Sequence, residues 1–402
     1  MMSKKSPQLR FEGFTDDWEQ RKLKDIVNRV TRKNKNLEST LPLTISAQYG
    51  LVDQITFFNK QIASKDMSRY YLLQKGEFAY NKSYSKDFPW GAIKRLNMYD
   101  EGVLSTLYIA FLPFKVNSDF LVSYYETDGW HKEVAIRAAE GARNHGLLNI
   151  TAVDFFDTGL MIPPNNDEQQ EIGGFFIELD HTITLHQRKL DLLKEQKKGF
   201  LQKMFPKNGA KVPELRFAGF ADDWEERKLG DVFSERSERS SEGELISVTI
   251  NSGVVKASEL DRKDNSSNDK SNYKKVEVGD IAYNSMRMWQ GASGYSSYDG
   301  ILSPAYTVII PKEGTDSKFF AYDFKRHDMI QTFKRNSQGL TSDTWNLKFP
   351  TLKSVKVMVP CMEEQTKISN FFERLDTTIT LHQRKLDLLK EQKKGFLQKM
   401  FV

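Results

Sequence analysis

The sequence predicts a mixed α/β (α+β) protein that consists of two similar globular domains and two long helices, arranged as an internal repeat with pseudo-two-fold symmetry. Three observations predict this fold. A segment of 24 residues occurs twice without change, at 182–205 and at 378–401. A second pair of segments, Pro7–Asp25 and Pro213–Asp231, has the same residue at 14 of 19 positions. Between these repeats, short apolar runs alternate with segments of helical periodicity, as in folds that combine sheets and helices.

The middle sections of the two halves keep a common framework. GEFAYN at 76–81 corresponds to GDIAYN at 279–284, and GVLSTLY from Gly102 corresponds to GILSPAY from Gly300. The halves differ between these pieces, as expected for two domains of one fold that bind different targets, although drift in loops after a duplication would leave a similar pattern. Apolar and β-branched runs predict strands, and helical spacing predicts helices. Strands are expected at 78–80, 103–111, 246–250 and 355–360, and helices at 119–139 and 319–333.

A heptad pattern predicts the two long helices, because apolar residues fall at the a and d positions that face a partner helix in a coiled coil. Each helix follows a proline, Pro164 or Pro360, and begins with acidic residues that suit the positive end of the helix dipole. At about 1.5 Å per residue, the 39 residues from 167 to 205 extend over roughly 58 Å. The predicted seam consists of Ile172, Phe176, Leu179, Ile183, Leu190, Leu193, Phe200 and Met204 in the first helix and of Ile368, Phe372, Leu375, Ile379, Leu386, Leu389, Phe396 and Met400 in the second.

The connection between the halves predicts the direction of the second helix. Pro206–Gly209 ends the first helix, and the second helix starts from the second domain. We therefore expect an antiparallel two-helix coiled coil within one chain, with an intermolecular coiled coil as the alternative. His186 and His382 at d positions and Lys197 and Lys393 at a positions are interpreted as polar residues that fix the register, rather than as a metal or proton site. The predicted boundaries are 1–164 for the first domain, 165–206 for the first helix, 207–360 for the second domain and 361–402 for the second helix.

The net charge of +5 is concentrated in the repeated segment. Each copy contains six Lys or Arg and two Asp or Glu, so the rest of the chain has a net charge of −3. A basic helix suits a phosphate backbone or an acidic partner, although it is also typical of a solvated helix face. Cys361 is the only cysteine, which excludes an intrachain disulfide and a zinc ribbon. No apolar stretch reaches the length of about 18 residues that a membrane span requires, so we expect a cytoplasmic protein that does not bind membranes.

The motifs of nucleic-acid enzymes are absent from the sequence. There is no Gly-Lys dipeptide and hence no P-loop that binds ATP. There is no Asn/Asp-Pro-Pro-aromatic motif for an adenine amino group, and the six histidines include no HExxH pair. We therefore predict no catalytic residues, no metal site and no cofactor in this chain.

The combined pattern resembles the DNA sequence specificity subunits of type I restriction-modification systems. The resemblance covers the whole chain, through the P-x-LRF-x-GF-xx-DWE openings, the AYN and GxLS pieces, the EQ-xx-I-xx-FF-xx-LD-x-I helix starts at Glu168 and Glu364, and the LLKEQKKGFLQKMF endings. Membership would imply two target recognition domains, separated by the antiparallel helices and bound to double-stranded DNA. It would also imply assembly with two methyltransferase subunits, which use S-adenosylmethionine to modify an adenine in each half-site, and with two restriction (motor-nuclease) subunits, which use ATP and Mg. The alternatives are a coiled-coil protein scaffold without DNA sequence preference and a self-sufficient methyltransferase or nuclease.

DNA-reading residues are predicted where the halves diverge after the shared AYN piece and in the two Arg-Asn loops. Two domains that read one face of B-DNA are expected about 10 base pairs apart. Arg can pair bidentately with guanine, and Gln or Asn with adenine, whereas contacts to phosphate carry no sequence information. The predicted residues are Lys82, Tyr84, Lys86, Lys94, Arg95, Arg143, Asn144 and His145 in the first domain and Ser285, Arg287, Trp289, Gln290, Arg335, Asn336, Ser337 and Gln338 in the second.

Overall fold

A computed structural model of the chain divides into two compact units. The first unit comprises Met1–Gln187 and Lys385–Val402, and the second comprises Arg188–Arg384. Each unit therefore contains one α/β domain and parts of both long helices. The structure describes residues 6–46, 49–83, 85–86, 88–138, 148–207, 209–261, 266–341 and 344–402.

The first unit is built on a four-stranded antiparallel sheet and three two-stranded pairs. Its helices are α1 Gln54–Phe58, α2 Ser118–Tyr124, α3 Gly129–Arg137, α4 Ala152–Phe156 and the long α5 Asn166–Lys203, which continues into the second unit. Its strands are β1 Glu19–Lys22, β2 Val27–Arg29, β3 Leu43–Ser46, β4 Gly50–Asp53, β5 Tyr71–Gln74, β6 Phe78–Asn81, β7 Ala92–Arg95, β8 Glu101–Leu104, β9 Ile109–Pro113 and β10 Gly159–Ile162. The large sheet has the order β2-β9-β6-β7, and the pairs are β1-β10, β3-β4 and β5-β8.

The second unit repeats this topology strand by strand. Its helices are α6 Leu229–Val232, α7 Ser317–Asp323, α8 His327–Asn336, α9 Phe349–Leu352 and the long α10 Met362–Met400. Its strands are β11 Glu225–Lys228, β12 Phe233–Glu235, β13 Ile246–Thr249, β14 Gly253–Lys256, β15 Lys274–Val276, β16 Ile281–Asn284, β17 Ser293–Tyr295, β18 Gly300–Leu302, β19 Tyr306–Pro311 and β20 Lys356–Val359. The order β12-β19-β16-β17 and the pairs β11-β20, β13-β14 and β15-β18 match the first unit, which confirms the predicted mixed α/β repeat.

The shared Gly-acid-x-Ala-Tyr-Asn motif forms the central strand of each large sheet. Gly279 has a φ of +101°, in the left-handed region that favours glycine, and lies in the turn that precedes β16. Ala282 and Tyr283 are fully buried, with the tyrosine side chain in the apolar core of the second unit. Ala79 and Tyr80 are equally buried in β6. Most of this motif therefore builds the core.

The acidic residue of the same motif forms an ion pair inside each domain. In the second unit, Arg236 Nε and Nη2 donate to the two carboxylate oxygens of Asp280 at 2.8 and 2.9 Å. Both side chains are buried, with 6% and 3% of their surface exposed. In the first unit, Arg32 Nη2 contacts both oxygens of Glu77 at 3.0 Å, and 39% of the Arg32 side chain is exposed. Each pair connects the edge of a domain to its central strand.

A buried glutamate fixes the start of each long helix. Glu168 accepts hydrogen bonds from Arg10 Nε and Nη2 at 2.6 and 2.7 Å and from Trp18 Nε1 at 3.3 Å. Glu364 accepts from Arg216 Nε and Nη2 at 2.7 and 2.8 Å. A charged bidentate pair is geometrically specific, so it holds the opening segment of each half against the helix that ends that half.

The long helices run antiparallel within each unit. In the first unit the Phe175 and Phe396 rings lie 5.1 Å apart, and Asp180 Oδ1 is 2.5 Å from Lys393 Nζ. The residue number rises along α5 while it falls along α10. In the second unit the Phe200 and Phe371 rings are 5.0 Å apart, and Lys197 pairs with Asp376 at 2.5 Å. In the described part of the chain, no helix is long and apolar enough to cross a membrane.

The predicted seam residues all lie in buried or half-buried positions. Ten are buried: Ile172, Phe176, Leu190, Leu193, Met204, Ile368, Phe372, Leu386, Leu389 and Met400. The other six are half-buried: Leu179, Ile183, Phe200, Leu375, Ile379 and Phe396. Ile172, Phe176 and Met400 belong to the core of the first domain, and Met204, Ile368 and Phe372 belong to that of the second. The heptad pattern therefore includes residues near the helix ends that pack against the domains.

Three predicted elements are wrong in extent. The strand expected at 103–111 is two strands, because the chain leaves the β5-β8 pair after Leu104 and enters the large sheet at Ile109. The helix expected at 119–139 ends at Tyr124 and resumes at Gly129. The helix expected at 319–333 is interrupted between Asp323 and His327. In the two helical cases apolar spacing continues across a turn, because both flanking helices pack against the same core.

Candidate nucleic-acid interface

The asparagine of the shared motif directs the chain out of each large sheet. Asn284 Oδ1 accepts a hydrogen bond from the backbone N–H of Met286 at 3.0 Å, and Asn81 Oδ1 accepts one from Ser83 at 3.0 Å. This turn replaces the next strand hydrogen bond with a side-chain hydrogen bond, which ends the strand. The diverging loop therefore begins at an equivalent, well-defined position in both domains.

The structure brings the two predicted regions of the second domain together. The N–H of Leu347 donates to the carbonyl of Ser285 at 2.8 Å, and the rings of Trp289 and Trp345 meet edge to face at 5.2 Å. Gln338 and Asn346 exchange backbone hydrogen bonds of 3.0 and 2.8 Å, which closes the second loop. We call the described residues of 285–291 and 334–348 the paired-loop surface.

The paired-loop surface is basic and contains aromatic side chains. Arg287, Lys334, Arg335 and Lys348 are exposed. The only acidic residue in these two segments of the sequence, Asp343, lies outside the described residues. Lys334 Nζ lies 5.5 Å from the centre of the Trp345 ring, and Leu340 is fully exposed. Cations beside aromatic and apolar side chains suit a nucleic acid, which offers phosphates, base edges and base faces.

Buried residues hold this surface in place. Met288 is fully buried in the core of the second unit, at the start of a short 3-10 helix, Met288–Gln290. Gly291 ends that helix with a φ of +83°. Trp289 Nε1 donates to the carbonyl of Met286 at 3.0 Å, which orients the indole. The loop thus presents Arg287 and Gln290 on either side of an anchored turn.

The predicted residues of the second domain differ in how available they are. Arg287 is exposed, and Trp289 and Gln290 are half-buried. Ser285 is buried, and its hydroxyl lies 2.8 Å from that of Thr307. Arg335, Asn336 and Ser337 lie at the end of α8. Their side chains bond within that helix, with Arg335 Nη2 to Thr332 Oγ1 at 3.1 Å, Asn336 Nδ2 to Thr332 O at 2.9 Å and Ser337 Oγ to Phe333 O at 2.8 Å. Gln338 is exposed beside them.

The first domain brings corresponding segments together at the same place. The carbonyl of Lys82 accepts from the N–H of Leu148 at 2.9 Å, as the carbonyl of Ser285 does from Leu347, and Lys82 Nζ donates to Ile150 O at 3.3 Å. Lys86 is exposed and Lys94 is half-buried. Arg95 Nη1 binds Asp119 Oδ1 at 2.6 Å and Ser118 Oγ at 2.8 Å. Tyr84, Arg143, Asn144 and His145 lie outside the described residues.

Four further residues of the paired-loop surface were not predicted from the sequence. Lys334, Leu340, Trp345 and Lys348 lie beside the predicted residues. Trp345 stands in a run of Ser, Thr, Asp and Asn at 341–346, and a large aromatic residue in so polar a loop was a signal that could have been used. Within the described ranges, no group of three or more His, Cys, Asp or Glu is placed to hold a metal ion.

Comparison with known proteins identifies the class of this fold. Residues 221–391 match the sequence model of a family described as the type I restriction modification DNA specificity domain. The S subunit of a type I restriction-modification system from M. genitalium has a similar structure, with a TM-score of 0.59, 14% identity and 99% of each chain covered. The HsdS subunit from Thermoanaerobacter tengcongensis matches over 96% of each chain at 15% identity, with a TM-score of 0.46 that is too low to support further comparison.

These matches confirm the resemblance that the sequence motifs indicated. The family model covers residues 221–391, which include most of the second domain. The first domain repeats the same strand order and strand pairing. The S subunit from M. genitalium shares this fold over 99% of the chain.

Proposed function

We propose that this chain recognises a bipartite, asymmetric DNA sequence, with one half-site for each domain, and performs no chemistry itself. One observation carries the proposal. In each domain the same scaffold brings two loops of that domain together, next to the Asn81 turn or the Asn284 turn, and the sequences of these loops differ between the domains. Equivalent scaffolds with different loops suit two targets of different sequence. In the second domain this position is the basic, aromatic paired-loop surface.

Arg287, Gln290, Arg335 and Gln338 are our first candidates for contacts to bases. Arg287 and Gln290 have the donors that read guanine and adenine edges in the major groove, and Arg287 is exposed. Lys334 and Lys348 suit phosphates. Ser285 and Arg95 are weaker candidates, because their polar groups are already bound to Thr307 and Asp119.

The long helices are the proposed docking sites for the catalytic subunits. The two identical segments expose leucines at equivalent positions, Leu185 and Leu192 in α5 and Leu381 and Leu388 in α10. Identical exposed side chains suit two copies of one partner. By resemblance, these would be two methyltransferase subunits that bind S-adenosylmethionine. Two restriction subunits that use ATP and Mg would then join the complex.

The decisive experiment maps methylated adenines in a host genome with and without this chain, co-expressed with its methyltransferase subunit. We expect methylation at one split sequence that depends on the chain. Binding of purified complex to that sequence should weaken with rising salt, because phosphate contacts release counterions. A protein scaffold would give no preference among DNA sequences, and an enzyme would methylate or cleave DNA without a partner; either result would overturn the proposal.

A further inference from the structure

Lys325 connects two loops of the second domain through its amino group. The residue lies between α7 and α8, and its Nζ donates to the carbonyl of Gly291 at 2.6 Å and to that of Ile250 at 2.9 Å. Gly291 ends the short helix that carries Trp289 and Gln290. Ile250 lies in the turn between β13 and β14. One side chain therefore ties the paired-loop surface to the neighbouring hairpin.

Apolar packing does not fill all of the space around this bridge. A cavity of about 280 Å³ lies beside Lys325, between the hairpin, β17 and the helices, and it is lined by Gly253, Gly294, Lys197 and Asp376 among others. On the other side, α8 packs against the loop, and a Cβ at Gly291 would lie 3.3 Å from Ile330 Cδ1. The lysine supplies the polar connection on the open side.

The environment of Lys325 is unusual for a lysine. Burial, with a smaller contribution from the charge of Lys197, lowers the pKa of Lys325 to about 8. No described carboxylate contributes to that shift. Keeping a half-buried cation without a counter-ion costs free energy, so its two carbonyl contacts have to compensate.

The equivalent residue of the first domain has a different role. Counting from the first residues of α2 and α7, Glu126 corresponds to Lys325. Glu126 binds Lys393 Nζ at 2.6 Å, and that lysine also binds Asp180. Among the described residues, no hydrogen bond or ion pair joins the Glu126 side chain to the loop that ends at Gly91. The chain thus contains its own control position.

From these contacts we infer that Lys325 is a positioning residue for sequence recognition by the second domain. By holding the carbonyl of Gly291, it sets the orientation of Arg287, Trp289 and Gln290 relative to DNA. It does not touch DNA itself. The inference rests on the proposed function, and it goes further by assigning half-site selectivity to a residue outside the paired-loop surface.

The test uses the full-length chain with its methyltransferase subunit and selects bound duplexes from a randomised library. Lys325→Met keeps an unbranched side chain, one heavy atom shorter, but removes the donors, whereas Lys325→Arg keeps donors. We expect Lys325→Met to reduce discrimination at one or more positions of a single half-site by at least about five-fold, the lower limit for one mismatched base pair. Lys325→Arg should restore most of the selectivity, and Glu126→Gln should leave base preference unchanged in both half-sites.

Amide hydrogen exchange of residues 285–292 gives a readout that does not depend on DNA. Exchange should be faster in Lys325→Met than in the unsubstituted chain, while the core strand β16 keeps its protection. If Lys325→Met does not fold, Lys325→Gln, which keeps an amide donor, should show a partial effect in both assays. Unchanged exchange, or equal relaxation of both half-sites, would overturn the inference. A lack of any sequence preference in the unsubstituted chain would instead overturn the proposed function.

Discussion

Replacement of Asp280 by Asn tests whether the acidic residue of the shared motif is structural. The Arg236–Asp280 pair is buried and bidentate, at 2.8 and 2.9 Å. Removing one partner of a buried ion pair costs about 3–5 kcal/mol, because the other charge stays buried. Arg236 keeps Glu238 at 2.9 Å and Glu277 at 2.8 Å, which are partly exposed, so we expect the lower end of that range. A loss of about 3 kcal/mol lowers the melting temperature of a domain of this size by roughly 6–12 °C.

Thermal unfolding of the full-length protein followed by circular dichroism measures this loss, and library selection at 20 °C below the transition measures base preference. Glu77→Gln is the matched control in the first domain. Its partner Arg32 has a side chain that is 39% exposed, so the expected cost is only about 1–2 kcal/mol. An Asp280→Asn protein that melts like the unsubstituted protein, or that changes its half-site while keeping its stability, would refute the structural interpretation of the motif.

Three further predictions address the proposed interface, the helices and Lys325. Arg287→Ala should reduce discrimination at one base position of one half-site by about 1–3 kcal/mol in a library selection. Arg227→Ala, which removes an equal charge from β11, should leave that discrimination unchanged. An unchanged profile for Arg287→Ala would remove Arg287 from the candidates. Deletion of one heptad from both long helices at matched positions should shorten the gap between the two half-sites, by about 10 Å or three base pairs if the helices set its length. A methylation map should show that both half-sites are retained. Altered half-sites would contradict the spacer role of the helices. Because the pKa of Lys325 is lowered to about 8, the folded protein releases this proton at a lower pH than the unfolded chain does. Between pH 8 and about 10.4, the free energy of unfolding should therefore rise by more in the unsubstituted protein than in Lys325→Met. Parallel pH profiles of the two proteins in urea denaturation would contradict the shift.

The internal repeat made most of the fold predictable. The identical segments at 182–205 and 378–401 indicated two equivalent helices, and their antiparallel direction followed from the order of elements along the chain. The structure shows that direction within each unit, for example by the Asp180–Lys393 and Lys197–Asp376 pairs. The predicted strand at 103–111 failed because periodicity does not reveal where a chain changes from one sheet to another. Pro304, at the equivalent break in the second domain, marked that position, since proline cannot donate a strand hydrogen bond.

The site was less predictable than the fold. Divergence after the AYN piece drew attention to the loop that begins at Ser285, but it did not separate the exposed Arg287 from the buried Ser285. In the first domain it included Arg95, whose guanidinium binds Asp119. These outcomes depend on contacts between distant segments, which local composition does not encode.

The sequence by itself determined that this chain is a tandem repeat of one α/β domain and one long helix, because identical residues at equivalent positions must form equivalent structures. Only the tertiary structure decided which polar residues are committed to the core, as Asp280 is, and which remain available, as Arg287 is. It also decided that Lys325 reaches the carbonyls of Gly291 and Ile250, 34 and 75 positions away in the chain. Hydrogen bonds of this kind depend on distance and angle in the folded protein, and these are fixed only when the domain packs.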